Sequence, residues 1–162
     1  MKNLTIGIIL CLLTNMLNAQ VSYYKGEWKQ VNNKTLFGCI LKLEVKDIIH
    51  VSGEIVWTYI AIDSSNAQLV EFYKGKKGKI GIEFVEGTTN SSTSDYYFEG
   101  IRKNDPDSII GLDKYTLKIS SDKHVIFGKS DSNGQNNGLL YAQKLTKVQV
   151  EKEFKAVKNK MK

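Results

Sequence analysis

Proline and cysteine are almost missing from this chain, and arginine, histidine and tryptophan are scarce. Pro106 is the single proline, so no proline-rich linker divides the chain, and it reads as one domain. Of the two cysteines, Cys11 falls in the first apolar run and Cys39 lies between Gly38 and Ile40. With Cys11 in a segment that reads as a leader, Cys39 has no partner for an internal disulfide. Its apolar neighbours mark it as a buried small hydrophobe rather than a nucleophile. The two histidines, His50 and His124, alternate with apolar residues and are expected at the surface. They and one thiol would have to be gathered from distant strands to make a zinc site or a Cys/His pair. Gly-x-Ser-x-Gly, His-Glu-x-x-His and a phosphate-cradling glycine loop are all lacking. No catalytic class is indicated, and no cofactor or metal is expected.

Apolar runs long enough to cross a bilayer as a helix, ~20 residues, are also lacking. The run Leu4 to Leu13 comes after Met1-Lys2-Asn3 and leads to Ala19-Gln20. A positive start, an apolar stretch and a small residue before a polar one form the pattern of a secretory signal peptide. Residues 1–19 are therefore expected to be a cleaved leader, with Leu17 as a departure from the small residue preferred three positions before the cut. A lipid anchor at Cys11 would need a small residue where Leu10 stands. Residues 20–147 are read as a barrel domain and 148–162 as a basic helix or tail, in a periplasmic or secreted protein with no transmembrane segment.

Alternation, by contrast, is abundant. Phe37, Cys39, Leu41, Leu43 and Val45 are apolar with Lys42, Glu44 and Lys46 between them, the signature of a strand with one dry and one wet face. Residues 49–62 place Val51, Ile55, Trp57 and Tyr59 on one face, with Gly53 expected at a bulge or bend. Residues 79–86 set Ile80, Ile82 and Phe84 opposite Gly81, Glu83 and Val85, with the former expected inside. Tyr96 and Phe98, then Tyr115, Leu117 and Ile119, alternate likewise, and shorter runs lie at 125–127 and 139–141. Turn residues separate them at 74–78, 87–95, 104–107, 120–123 and 132–138. No helix is expected between the strands. The fold class is all-β: an antiparallel up-and-down meander of about eight strands, closed to hide its edges. Near the end, Val150, Phe154, Val157 and Met161 recur at helical spacing among lysines, which predicts a short amphipathic helix lying on the barrel.

Gly26-Glu27-Trp28 on the first strand, ahead of a meander, resembles the calycin group of lipocalin- and avidin-type barrels. The resemblance implies a lipocalin-like barrel in which Trp28 closes one end. Lipocalins carry an arginine on a late strand over that tryptophan, whereas Arg102 is the chain's single arginine and stands mid-chain. The segments 51–57, 81–87 and 105–115 also resemble exported or modular bacterial proteins with no assigned chemistry, which speaks to fold alone.

The net charge is +6 at pH 7. The lysines alternate with acids along the strands, so no nucleic-acid partner is expected, and the dense run Lys74 to Lys79 reads as a solvated turn. An outer-membrane barrel would need an outward apolar band, whereas one face of nearly every strand carries Lys or Glu. Glu83 and Glu86, an odd number of residues apart, point to opposite faces. Glu71 or Glu99 could meet Glu83 across strands, but an exposed charge ladder is the simpler meaning. The acidic turns at 104–107 and 131–134 lack the spacing of a calcium loop.

An eight-stranded barrel is just wide enough to be filled by side chains or to hold one small ligand. Trp57, Tyr59, Phe84, Phe98 and Tyr115 are the large residues expected to face inward and line such a site. The leading expectation is a non-catalytic exported protein that binds a small apolar ligand or a protein partner. An inhibitor or immunity-type barrel acting through the loops Gly87 to Asp95 or Asn133 to Gly138 is the alternative. A carboxylate-dependent hydrolase comes third, and would require converging carboxylates with perturbed pKa values in one cleft.

Overall fold

The computed structural model describes residues 20–90, 92–131 and 138–159; residues 1–19, expected as a leader, most of the 132–138 turn and Met161 lie outside them. Eight strands succeed one another: β1 (Gln20–Gln30), β2 (Leu36–Val45), β3 (His50–Ala61), β4 (Ile80–Asn90), β5 (Asp95–Asn104), β6 (Lys114–Ile119), β7 (Val125–Asp131) and β8 (Gly138–Lys144). Each pairs antiparallel with the next, and β8 returns to β1 with Leu140 opposite Trp28, closing the barrel. Among the described residues every strand is paired on both sides. No helix among the described residues is long and apolar enough to cross a membrane.

The alternation of the sequence becomes the inner layer. Trp28, Phe37, Leu41, Ile55, Trp57 and Leu117 meet there with their same-face neighbours, and Cys39 is buried among them. His50 and His124 are exposed.

Four expectations are corrected. A helix, α1 (Ala67–Tyr73), does interrupt the meander between β3 and β4. It is capped by the Asn66 side chain, which accepts from the Leu69 N–H, and is followed by Gly75 and Gly78 at positive φ. A helix this short leaves too few residues for helical periodicity to show in sequence. Gly53 is not at a bulge: it pairs in register with Leu43, where an added Cβ would lie 2.1 Å from the Lys42 carbonyl oxygen. The register shifts instead at Leu36/Phe37 and Phe84/Val85. β4 runs on through Asn90, so residues 87–90 are strand and not loop.

The fourth concerns Phe84, which faces outward while Glu83 faces in. The reason is the C-terminal helix α2 (Lys147–Asn159), which covers the outer face of β1 to β4. Phe154 packs there with Ile40, Val56 and Ile82, and Tyr23 meets its ring edge-on at 5.2 Å. Phe84 lies partly buried at this patch beneath the Arg102 guanidinium, 4.0 Å from its centroid. A strand with a covered outer face is apolar on both sides, so alternation alone does not say which side is the inside. Helix α2 begins in a reciprocal capping box: Thr146 N–H donates to Gln149 Oε1 (2.9 Å), and the Gln149 N–H donates back to Thr146 Oγ1 (3.4 Å). Lys25 on β1 pairs with Glu153 on its flank.

Candidate functional site

The up-and-down topology gives the barrel two ends of different character. One carries the 31–35 turn, α1 and the 105–113 connection. The other carries the start of β1 and the turns 46–49, 92–94 and 120–124.

At the α1 end rings fill most of the interior. Phe37 stands edge-on to Trp28, Trp57 and Tyr59, at centroid distances of 5.7, 6.2 and 5.5 Å, and Tyr73 of α1 stacks on Tyr59 at 4.6 Å. Gly138 exists to admit Trp28, since a Cβ there would fall 2.0 Å from the indole. A cavity of about 110 Å³ remains, lined by Trp28, Trp57, Glu83, Asp113 and Tyr115 among others. A water molecule occupies ≈ 30 Å³ of liquid, so this is room for a few waters or one small ring.

Glu83 is 1% exposed. Its Oε2 accepts from Tyr115 Oη (2.5 Å) and Trp57 Nε1 (3.0 Å), and its Oε1 accepts from the Asp113 N–H (3.0 Å). Trp28 Nε1 donates to Ser130 Oγ (2.7 Å), which donates to Asp113 Oδ2 (2.9 Å). Burial pushes the Glu83 pKa up to about 7 against these donors, which favour the charged form. Burial raises Asp113 as well, with the Ser130 hydroxyl opposing. Sequence reasoning missed this pair because it placed Glu83 outside.

Converging carboxylates with raised pKa values are thus present, yet both Glu83 oxygens are occupied by protein donors. A Cβ on Gly100 would lie 2.1 Å from Oε1, so the β5 backbone closes that side. The network works as a strut joining β3, β4, β6 and the 105–113 connection. That connection is itself held by Asp105, whose buried carboxylate accepts from the Ile109 and Ile110 N–H groups, both at 2.9 Å.

The opposite end is hollow. On this side the inward positions Ser22 and Thr89 carry small side chains. They leave a bowl of about 610 Å³ walled by Tyr24, Leu43, Val45, Tyr96 and Ile119, with Lys46, Lys123 and Lys144 around it. This volume lies within the ≈ 300–1,000 Å³ usual for small-molecule sites. Tyr24 forms part of its floor, its hydroxyl pKa pushed up to about 12 by burial and by Tyr96.

Comparison with known protein families, with curated proteins and with solved structures gives no match.

Of the five residues expected to bind a ligand, Trp57 and Tyr115 line the small cavity. Tyr59 and Phe98 are buried in packed core, the latter 5.1 Å from the Tyr115 ring. Phe84 is outside. The bowl's walls were readable as inward-facing, but no sequence signal said that this end would be left unfilled. Among the described residues no group of His, Cys, Asp or Glu is placed to hold a metal. The lysine-rich turn is partly neutralised: Lys74 pairs with Glu71, Lys79 pairs with Asp107, and Lys76 sits over the Phe72 ring.

Proposed function

We propose that this chain is an exported, non-catalytic binding protein that takes a small apolar molecule into the bowl at the β1-start end of its barrel. The observation that carries the reading is the contrast between the two ends. One is packed with rings, and the other keeps a bowl of about 610 Å³ behind apolar walls. Closed barrels of this size are filled unless the space has a use, because each unfilled methyl-sized volume costs on the order of 1 kcal/mol. The leader pattern supports export. The engaged oxygens of Glu83 support a structural role for the buried carboxylates over a hydrolytic one.

The test is uptake of the neutral fluorophore N-phenyl-1-naphthylamine, joined to native mass spectrometry of protein purified gently from its own compartment. Saturable emission in the protein, lost in Ser22→Leu, which plugs the bowl, is the expected result. A bare protein mass together with no saturable uptake would overturn the reading.

A protein-partner reading draws on a separate feature. Tyr97, Phe127, Leu139 and Tyr141 are exposed on the outer face of β5 to β8, which α2 does not cover. Tyr97→Lys and Phe127→Lys would abolish capture of such a partner while leaving fluorophore uptake intact.

A further inference from the structure

We infer that the small cavity at the α1 end is a second site, for a methylated ammonium ion held by aromatic rings and by the negative charge of Glu83 and Asp113. The inference is independent of the bowl at the other end of the barrel and of its occupant.

Five aromatic side chains line the cavity: Trp28, Phe37, Trp57, Tyr73 and Tyr115. Trp28, Phe37 and Trp57 stand mutually edge-on, with interplanar angles of 66° to 77°, and Tyr73 meets Phe37 at 73°. Rings at near right angles make the walls of a box, whereas stacked rings make a slab. The two indole N–H groups are already given to Ser130 and Glu83, which leaves the π-systems to meet an occupant. A cation beside such rings is attracted by their quadrupoles, most strongly where water is excluded.

The charge around this box is one-sided. Glu83 and Asp113 both line it, and neither has a cationic partner among the described residues. The charged groups that act on them are themselves acids, Asp113 on Glu83 and Asp131 on Asp113. Lys103, which reaches the 105–113 connection, is committed to Asp105 and to the Ile110 carbonyl. Buried carboxylates are ordinarily paired with a cation, and here no side chain supplies it.

The ion is alkylated because the acceptors are spent. Both Glu83 oxygens and Asp113 Oδ2 already receive protein donors. An N–H-bearing ammonium would compete for those lone pairs, whereas a methylated one asks only for charge and aromatic surface. The size agrees. A cavity of about 110 Å³ is roughly the liquid share of four waters, room for a head of about four or five heavy atoms.

Both tryptophans of the chain, Trp28 and Trp57, line this cavity, so intrinsic fluorescence reads its occupancy. The deciding experiment titrates the purified protein with tetramethylammonium chloride, tert-butanol and ammonium chloride, with ionic strength held constant by sodium chloride. At pH 8 tetramethylammonium is expected to move the emission saturably at roughly tenfold lower concentration than either of the others. Its preference over tert-butanol should shrink at pH 5.5, where Glu83, with a pKa of about 7, carries a proton. Asp113 is raised in the same sense, while Tyr73, Tyr115 and Cys39 stay neutral across this range. Glu83→Gln should remove most of the preference and Asp113→Asn part of it, with a cooperative urea transition showing that each variant is folded. Equal response to tetramethylammonium and tert-butanol would overturn the cation site, as would a preference that survives in both variants. Ammonium acting as well as tetramethylammonium would overturn the alkylated assignment. Emission unmoved by all three compounds would overturn the cavity as a site.

Discussion

At Glu83 the cost of burying a carboxylate competes with three donated hydrogen bonds, and burial wins. The side chain therefore binds a proton more tightly in the folded chain than in the unfolded one, with a pKa of about 7 against an ordinary 4.5. Between those values the folded state holds more protons than the unfolded state, so stability is fully present at low pH within this window and falls as pH rises through it. Above the folded pKa the loss is complete, on the order of 3 kcal/mol. Urea midpoints should thus be higher at pH 5.5 than at pH 8, and Glu83→Gln should flatten that slope; an unchanged slope in the variant would assign it to other groups. At Cys39, burial pushes the thiol to about 12. The side chain is 3% exposed, so it should react with Ellman's reagent only as fast as the barrel opens.

At the scale of elements, α2 and the 105–113 connection show how secondary pieces fix the barrel. Phe154 supplies the centre of the α2 contact, and Phe154→Ala should cost about 3 kcal/mol in urea denaturation. Thr146→Ala, which removes the capping box, should cost about 1 kcal/mol. Asp105→Ala leaves two N–H groups of the connection without their acceptor, a loss of about 2 kcal/mol. Because the Asp113 N–H in the same connection donates to Glu83 and favours its charged form, loosening that bond should raise the Glu83 pKa further and steepen the pH dependence of stability.

The sequence disclosed the strands from Phe37 to Val45 and from Tyr115 to Ile119 cleanly, because each has one dry face and one wet face. It disclosed the tail helix by its four-three-four spacing. It misassigned Phe84 and Glu83 because the helix that makes their strand apolar on both sides lies at the far end of the chain. Short α1 left no periodic trace for the same kind of reason: its worth lies in Tyr73 stacking on Tyr59, a tertiary contact.

For the molecule as a whole, the decisive feature is the uneven filling of one closed barrel. The α1 end has Trp28, Phe37, Trp57 and Tyr59, and the opposite end has Ser22 and Thr89 facing the bowl. A barrel selected for stability alone would carry larger side chains at both ends, since buried apolar area stabilises at ~25 cal/mol per Å². Ser22 faces the bowl on β1 opposite Leu43, so a leucine at this position would enter free space rather than packed core. Ser22→Leu should then raise stability by about 1 kcal/mol while abolishing uptake of N-phenyl-1-naphthylamine. The pairing of those two effects is the discriminating result, because a substitution that merely damaged the fold would lower both. A variant that is less stable and still takes up the fluorophore would mean that the bowl is neither free space nor the place where the fluorophore binds.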